Sequence, residues 1–397
     1  MTNDEAMNNG EAARVGGMPR LSALAWTAVA ALLVAAVVVP FVFPSQYIQS
    51  VIVTALITLV LNTGWNFVLG IAGVWNFGML AIYALGGYGA GLLMLHVPSV
   101  PGWTAVLLGG VIAAGISVLL AFPTLRLFGI YTSLLTFSFA QVIQFVIVND
   151  PGGATGGSFG FPTVKGLYPS LQPSEALRAY YWTILGVAVV ATFAVAWIRG
   201  SRLGIALRTI RDAPAYAAAR GVSPLKYRII AFAISGFIAG VAGALYISYN
   251  QSITSAVMGL TPMSIDVTML VIGGLGTIAG PVIGTGLLTI VETSLVRYPG
   301  IQLTILGTIL LIIVVFVPGG IVGLASRTYR RIQAWAAEEE AESDEAGPSD
   351  ARASGVGASE AATSDAGTSD ARRGDPGATP APGLQQPSSV GEPERNR

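Results

Sequence analysis

The sequence contains no cysteine and a single histidine, His96. The first absence excludes disulfides, thiolate metal sites and cysteine nucleophiles. The second leaves little imidazole for acid–base or metal chemistry. Charge is scarce as well: 11% of the 397 residues are Asp, Glu, Lys or Arg, against roughly 25% in soluble domains. With 53% hydrophobic residues and a mean hydropathy of +0.67, the deficit points to an integral membrane protein. No G-x-x-x-x-G-K-[ST] run occurs, so the chain has no P-loop of its own with which to hydrolyse ATP. One catalytic pattern is present: Gly156-Gly157-Ser158-Phe159-Gly160 matches G-x-S-x-G. That elbow needs a strand before it, a helix after it, and a histidine and an acid nearby. Here it falls in a glycine-rich loop. No cluster of His, Asp and Glu has metal-ligand spacing, and the chain is expected not to be an enzyme.

What the chain does have is long apolar runs. Leu21–Phe43 is continuous and of membrane-spanning length, since about 20 residues cross the hydrocarbon core. It exceeds the ~7–15 residues of a signal-peptide core, so it is read as a retained first span. Further windows are 47–69, 78–95, 104–121, 131–149, 179–198, 229–248, 260–274, 278–295 and 302–322. The expected fold is all-α, a polytopic integral membrane helical bundle over residues 21–325. It has about ten transmembrane segments, some of them re-entrant where Gly or Pro interrupts. Residues 1–20 read as a disordered cytoplasmic arm. Residues 336–397, acidic and rich in Ser, Gly, Ala and Pro, read as a disordered cytoplasmic tail.

Lys plus Arg and Asp plus Glu balance at 21 each, but most acids lie after Ala337 and the membrane part is basic. No nucleic-acid partner is expected. Residues 199–228 hold Arg199, Arg202, Arg208, Arg211, Arg220, Lys226 and Arg228 against one acid, Asp212. A short arginine-rich loop between spans stays in the cytoplasm. Alternation then puts Arg126 and Arg327, Arg330 and Arg331 on the same side, 150–178 outside, and both termini in the cytoplasm, for a multi-pass protein of the cell membrane. Within the loop the sequence predicts one short helix. Asp212 caps it, Pro214 occupies the first turn, Ala215–Ala219 propagate it and Gly221 ends it.

Glycine is abundant, at 49 residues. Gly236 and Gly240 sit four apart, and Gly276, Gly280 and Gly284 form a ladder, a spacing that lets helices approach closely in lipid. The clusters at Gly86-Gly87-Tyr88-Gly89 and Gly273-Gly274-Leu275-Gly276 can break helices, which is tolerated where backbone is buried in protein or faces a water-filled path. Ionisable groups inside the windows are few. Asp266 and Glu292 are candidates for a translocation path or for polar contacts within the bundle. Asn66, Asn76 and Gln141 are neutral candidates for the same roles.

Four segments together resemble the permease subunits of branched-chain amino acid ABC transporters. They are Asn66–Gly73 continuing through Asn76-Phe77-Gly78 to Tyr88; Arg126–Tyr131 running to Gln141, with Thr155-Gly156-Gly157 after it; Gly204–Asp212 to Gly221, then Lys226 and Ala231-Phe232; and Met269–Thr277 to Gly280-Pro281. The likeness covers about residues 60–325. Two departures stand out. Pro214 occupies a position where the family usually has an acid, and Asn76-Phe77-Gly78-Met79 lacks the histidine of the family's Ser-x-Gly-His.

The resemblance implies a membrane subunit that forms the path for branched-chain or other aliphatic amino acids. It implies two ATP-binding subunits as partners, a second homologous permease subunit, an extracytoplasmic solute-binding protein and membrane lipid around the bundle. No cofactor is expected in this chain, because ATP and Mg would be bound by the partner subunits. The 199–228 loop would couple to the ATPases, with Arg208, Arg211, Asp212, Tyr216, Ala218 and Gly221 on the docking surface. The alternatives are a urea or short-amide importer of the same family, an ion-driven secondary transporter working through Asp266 or Glu292, and a structural membrane scaffold.

Overall fold

The computed structural model describes residues 45–295, apart from Pro98, Phe128, Pro151 and Gly152, and scattered positions between Thr304 and Gly323. All belong to one compact unit, Met1–Arg331. The expected arm, the span at 21–43, most of the 302–322 window and the tail lie outside the described residues.

Apolar segments in lipid must satisfy their backbone internally, and helices do so. The described elements are accordingly helical: α1 Gln46–Asn66, α2 Met79–His96, α3 Gly102–Thr124, α4 Ile130–Val148, α5 Pro173–Gly200, α6 Arg202–Asp212, α7 Pro214–Ala219, α8 Pro224–Asn250, α9 Leu260–Gly273 and α10 Ala279–Leu295. Proline marks several starts: Pro101 precedes α3, and Pro173 and Pro224 sit in the first turns of α5 and α8. There the missing N–H would have had no partner. α1 runs directly into a wide π turn, Phe67–Ile71.

Eight predicted windows coincide with described helices to within a few residues. Six of these helices are long and apolar enough to cross a membrane among the described residues. α9 and α10, with 14 and 17 residues, fall short. At 1.5 Å per residue they reach about 21 and 25 Å, against ~30 Å of hydrocarbon. They form a hairpin with a glycine break between them, the interruption that Gly273–Gly276 announces.

α8 is the central helix. It packs against α3, α2 and α1, while α5 and the α9–α10 hairpin lie on α1. Glycine sets the closest approaches. Gly86 of α2 lies against Gly240 of α8, and a Cβ on Gly243 would collide with the Tyr83 carbonyl. A Cβ on Gly109 of α3 would meet the Gly86 carbonyl at 2.6 Å, and Gly236 packs on Ser117. Ser117 also donates to the Phe232 carbonyl at 2.7 Å. Here helices touch backbone to backbone, the packing that small residues permit in membranes. α4 is the least buried of the six long helices.

Loops gather at two ends. At one, the Phe161 and Val164 amides pair with the Ile253 and Gln251 carbonyls, and Gln144 reaches the Ser255 carbonyl. At the other, the 201–223 loop meets the end of α1 and the α9–α10 break, and Gly320 lies against Gly274 of that break. Arg126, Arg199, Arg202, Arg208, Arg211, Arg220, Lys226 and Arg228 border loops of this second end. The first end has Lys165 and Arg178 with Asp150 and Glu175.

Candidate functional site

The arginine-rich end is built from α5 outward. α5 stops at Gly200, and Ser201 turns the chain by bonding the Ile198 carbonyl through both its amide and its hydroxyl. Arg208 folds back over this corner. Its Nη2 donates to the Arg199 carbonyl at 3.2 Å and its Nε to the Gly204 carbonyl at 3.3 Å. A cation thus covers the Arg199 carbonyl at the C-terminus of α5, where carbonyls lack helical partners, and ties it to the first turn of α6. α6 follows with one face buried through Ala206, Leu207 and Ile210.

α7 is the short helix expected from Pro214, Ala215–Ala219 and Gly221. Val222 N–H bonds the Ala217 carbonyl and Gly221 N–H the Ala218 carbonyl, each at 3.0 Å, with Gly221 at φ +78°. This paired closure is a Schellman motif, and it requires the left-handed residue that glycine supplies. The expected cap is corrected. Asp212 ends α6, Ala213 holds the N-cap position of α7, and no side chain caps it. Asp212 binds Arg211 instead, Nε to Oδ1 at 2.8 Å. That hydrogen bond holds the Asp212 pKa below its usual value. Ala217 is buried, whereas Tyr216, Ala218 and Gly221 are exposed, Tyr216 by 54%. Arg220 stacks over the Tyr216 ring at 5.2 Å. Beside α7, a shallow hollow is lined by Ile205, Arg208, Thr209, Asp212 and Ala213.

Arg211 is partly exposed, and one end of its guanidinium reaches the end of α1. Its Nη1 donates to the Gly70 carbonyl at 2.6 Å. Its stem lies across Gly73, whose φ is +72° and whose missing Cβ would overlap the arginine Cγ. Gly70 in turn abuts the Gly276 amide. Gly70 O is free for this because the π turn closes through the Ala72 and Val74 amides onto Phe67 and Val68. One turn back, buried Asn66 clamps the hairpin break. Its Oδ1 accepts from the Gly276 amide and its Nδ2 donates to the Thr277 carbonyl, both at 2.8 Å. Higher on α1, Asn62 donates to Thr285 Oγ1 at 3.1 Å and reaches Met269 Sδ at 3.4 Å.

The remaining predicted polar residues are dispersed. Buried Asn76 accepts from its own Gly78 amide at 2.9 Å, folding the turn before α2, and its Nδ2 has no hydrogen-bond partner. Gln141 is half-buried on α4. Asp266 is buried on α9 within electrostatic reach of Tyr83 and of half-buried Glu292 on α10. The G-x-S-x-G run forms a 3₁₀ turn, Gly157–Phe159, among irregular chain, not a strand–helix elbow. The preceding Asp150 carboxylate accepts from both the amide and hydroxyl of Thr155 and folds this loop. His96 bonds the Leu92 carbonyl of its own helix. Among the described residues no group of three acidic or histidine side chains forms a metal site.

The cradle of Gly70, Gly73 and Gly276 around Arg211 was not foreseen as a site. Only the glycines themselves signalled it, and Gly70 and Arg211 are 141 residues apart in sequence.

Comparison with known proteins follows the same course. The model of the family described as branched-chain amino acid transport system / permease component matches residues 47–318. The chain is 26% identical over 314 residues to the high-affinity branched-chain amino acid transport system permease protein LivM of Salmonella typhimurium, covering 73% of each chain. It is 27% identical over 315 residues to the LivM of Escherichia coli, again covering 73% of each. A shorter stretch of 121 residues is 33% identical to a probable branched-chain amino acid transport permease protein LivH of Methanocaldococcus jannaschii, covering 28% of this chain and 38% of the relative. No solved structure matches.

Proposed function

The chain belongs to the branched-chain amino acid transport permease family, and on that premise we propose that it is the membrane-spanning subunit of an ATP-driven importer. Its cargo is branched-chain or other aliphatic amino acids. The arginine-rich end faces the cytoplasm, where two ATP-binding subunits dock. A second permease subunit completes the path, and an extracytoplasmic binding protein delivers the solute at the opposite end.

The observation that carries this reading is α7. A six-residue helix is fixed at one end by Pro214 and at the other by the Gly221 closure. It presents an exposed tyrosine at an end that is otherwise cationic. An aromatic knob beside a shallow hollow is what a groove on a soluble partner can grip. The asymmetry of positive charge supports the orientation.

The test is reconstitution with the neighbouring transporter subunits in proteoliposomes. Uptake of labelled leucine, isoleucine or valine should require ATP, the ATP-binding subunits and the binding protein together. Uptake by this chain alone, driven by an ion gradient, would overturn the reading.

A further inference from the structure

We propose that Arg211 is an internal latch. It links the 201–223 loop to the α9–α10 hairpin, so that a push on α7 reaches the helix break through the end of α1. This rests on the coupling role proposed for the loop, and it assigns Arg211 a task within the subunit and not on the surface that meets a partner.

The direction of the side chain is the first reason. A docking arginine extends into solvent. Arg211 is 37% exposed along its Asp212 edge, but its Nη1 end turns the other way and donates to the Gly70 carbonyl at 2.6 Å, a charge-assisted bond at the short end of its range. The cradle is the second reason. Gly73 adopts φ +72° and leaves the space through which the arginine stem passes. Gly276, at φ +74°, brings the break against Gly70. A side chain on any of the three would separate the elements that meet here. The third reason is continuity. Four residues before Gly70, Asn66 holds the amide of Gly276 and the carbonyl of Thr277. Loop, α1 terminus and break are therefore joined by consecutive hydrogen bonds.

Asp212 completes the device. It accepts from Nε at 2.8 Å and from Nη2 at 3.4 Å, along the edge of the guanidinium away from Gly70. The planar fork is thereby oriented with Nη1 toward α1. The receiving element suits a joint. Gly274 and Gly276 both have positive φ, and the two helices they connect are short, so a small rotation at the break swings each as a body. The same hairpin bears Asp266 and Glu292, which a rotation would move relative to α1.

Two experiments test this. In the complete transporter in proteoliposomes, Arg211→Gln should leave ATP-binding subunits co-purifying at wild-type yield while solute uptake per ATP hydrolysed falls about tenfold. Gly73→Ala, which displaces the stem and keeps the charge, should do the same. Arg211→Lys should recover part of the loss. Co-purification lost in Arg211→Gln but kept in Gly73→Ala would make Arg211 a docking contact and overturn the latch, leaving the proposed function intact. Unchanged uptake per ATP in Arg211→Gln would overturn it as well. The second experiment needs no partner. Amide exchange at residues 274–278 of the purified chain should speed up about tenfold in Arg211→Gln. Unchanged exchange there would sink the latch even if no ATP-binding subunit ever bound.

Discussion

Removing the Asn66 amide is the most direct test of how the break in the α9–α10 hairpin is held. Asn66→Ala deletes two half-buried hydrogen bonds, one to the Gly276 amide and one to the Thr277 carbonyl. Two magnitudes compete. Interhelical side-chain bonds in membranes average about 0.6 kcal/mol, which for two bonds gives about 1 kcal/mol. A buried backbone group left without a partner costs ~1–3 kcal/mol, which for two gives roughly 2–6 kcal/mol. The second applies here at its low end, because Gly276 and Thr277 are half-buried. Gly276 and Thr277 lie between helices, where no i→i−4 ladder takes over their groups. We therefore expect Asn66→Ala to cost about 2–4 kcal/mol. Asn62→Ala is the matched control. Its partners are the Thr285 hydroxyl and the Met269 sulfur, and a threonine hydroxyl can turn to a carbonyl of its own helix. Its Oδ1 is already buried without a partner. That variant should cost under ~1 kcal/mol. Equilibrium unfolding of the purified protein in detergent, with both variants in parallel, gives the comparison. Equal losses would refute the claim that Asn66 holds unwound backbone in place.

Other outcomes follow from the same contacts. Gly243→Val drives a side chain into the Tyr83 carbonyl and should abolish monodisperse protein in size-exclusion chromatography; normal yield would contradict backbone contact between α2 and α8. Tyr216→Ala should leave stability within about 0.5 kcal/mol, as an exposed truncation does. It should also cut co-purification of the ATP-binding subunits at least about tenfold, and full retention would count against α7 as the docking knob. The Asp212 pKa is lowered by the Arg211 hydrogen bond. Its contribution is thus fully present above the ordinary carboxylate value of about 3.9 and is lost as pH falls through the lowered one. Stability of Asp212→Asn relative to wild type should not change between pH 7 and about 5, and a change in that window would show that the pair is not formed.

Much of the fold was legible because lipid allows few solutions. An apolar run of sufficient length must be a helix, and Pro101, Pro173 and Pro224 mark starts two to six residues before those expected. The short helix after Asp212 was legible through Pro214 and Gly221, whose backbone constraints act locally. Its cap was not. Asp212 had a nearer and stronger partner in Arg211, and a charged pair outweighs a backbone amide. The long amphipathic helix before it, Arg202–Asp212, was missed because charge dominated the pattern and hid the buried face of Ala206, Leu207 and Ile210. Asn66 was singled out for being polar in an apolar run, but its partners lie about 210 residues away. No local pattern encodes such a meeting. Gln141, Asp266 and Glu292 stand where the windows put them, on helices. What faces them across the bundle is a property of packing that spacing along one helix does not report.

The π turn at Phe67–Ile71 has a consequence for how this sequence tolerates insertions and deletions. A turn of that width accommodates one residue more than an α-helical turn, and each residue rotates an α-helix by about 100°. Deleting one residue there would restore an ordinary helix and swing everything downstream by that angle. The Gly70 carbonyl would leave the guanidinium, and Gly73 would no longer receive its stem. The stretch from Gly153 to Gln172 is anchored at Thr155, Phe161, Val164 and Leu167, so a length change between anchors disturbs one loop at a time. Length variation among natural and engineered versions of this chain should accumulate in that stretch and be missing between Asn66 and Gly73.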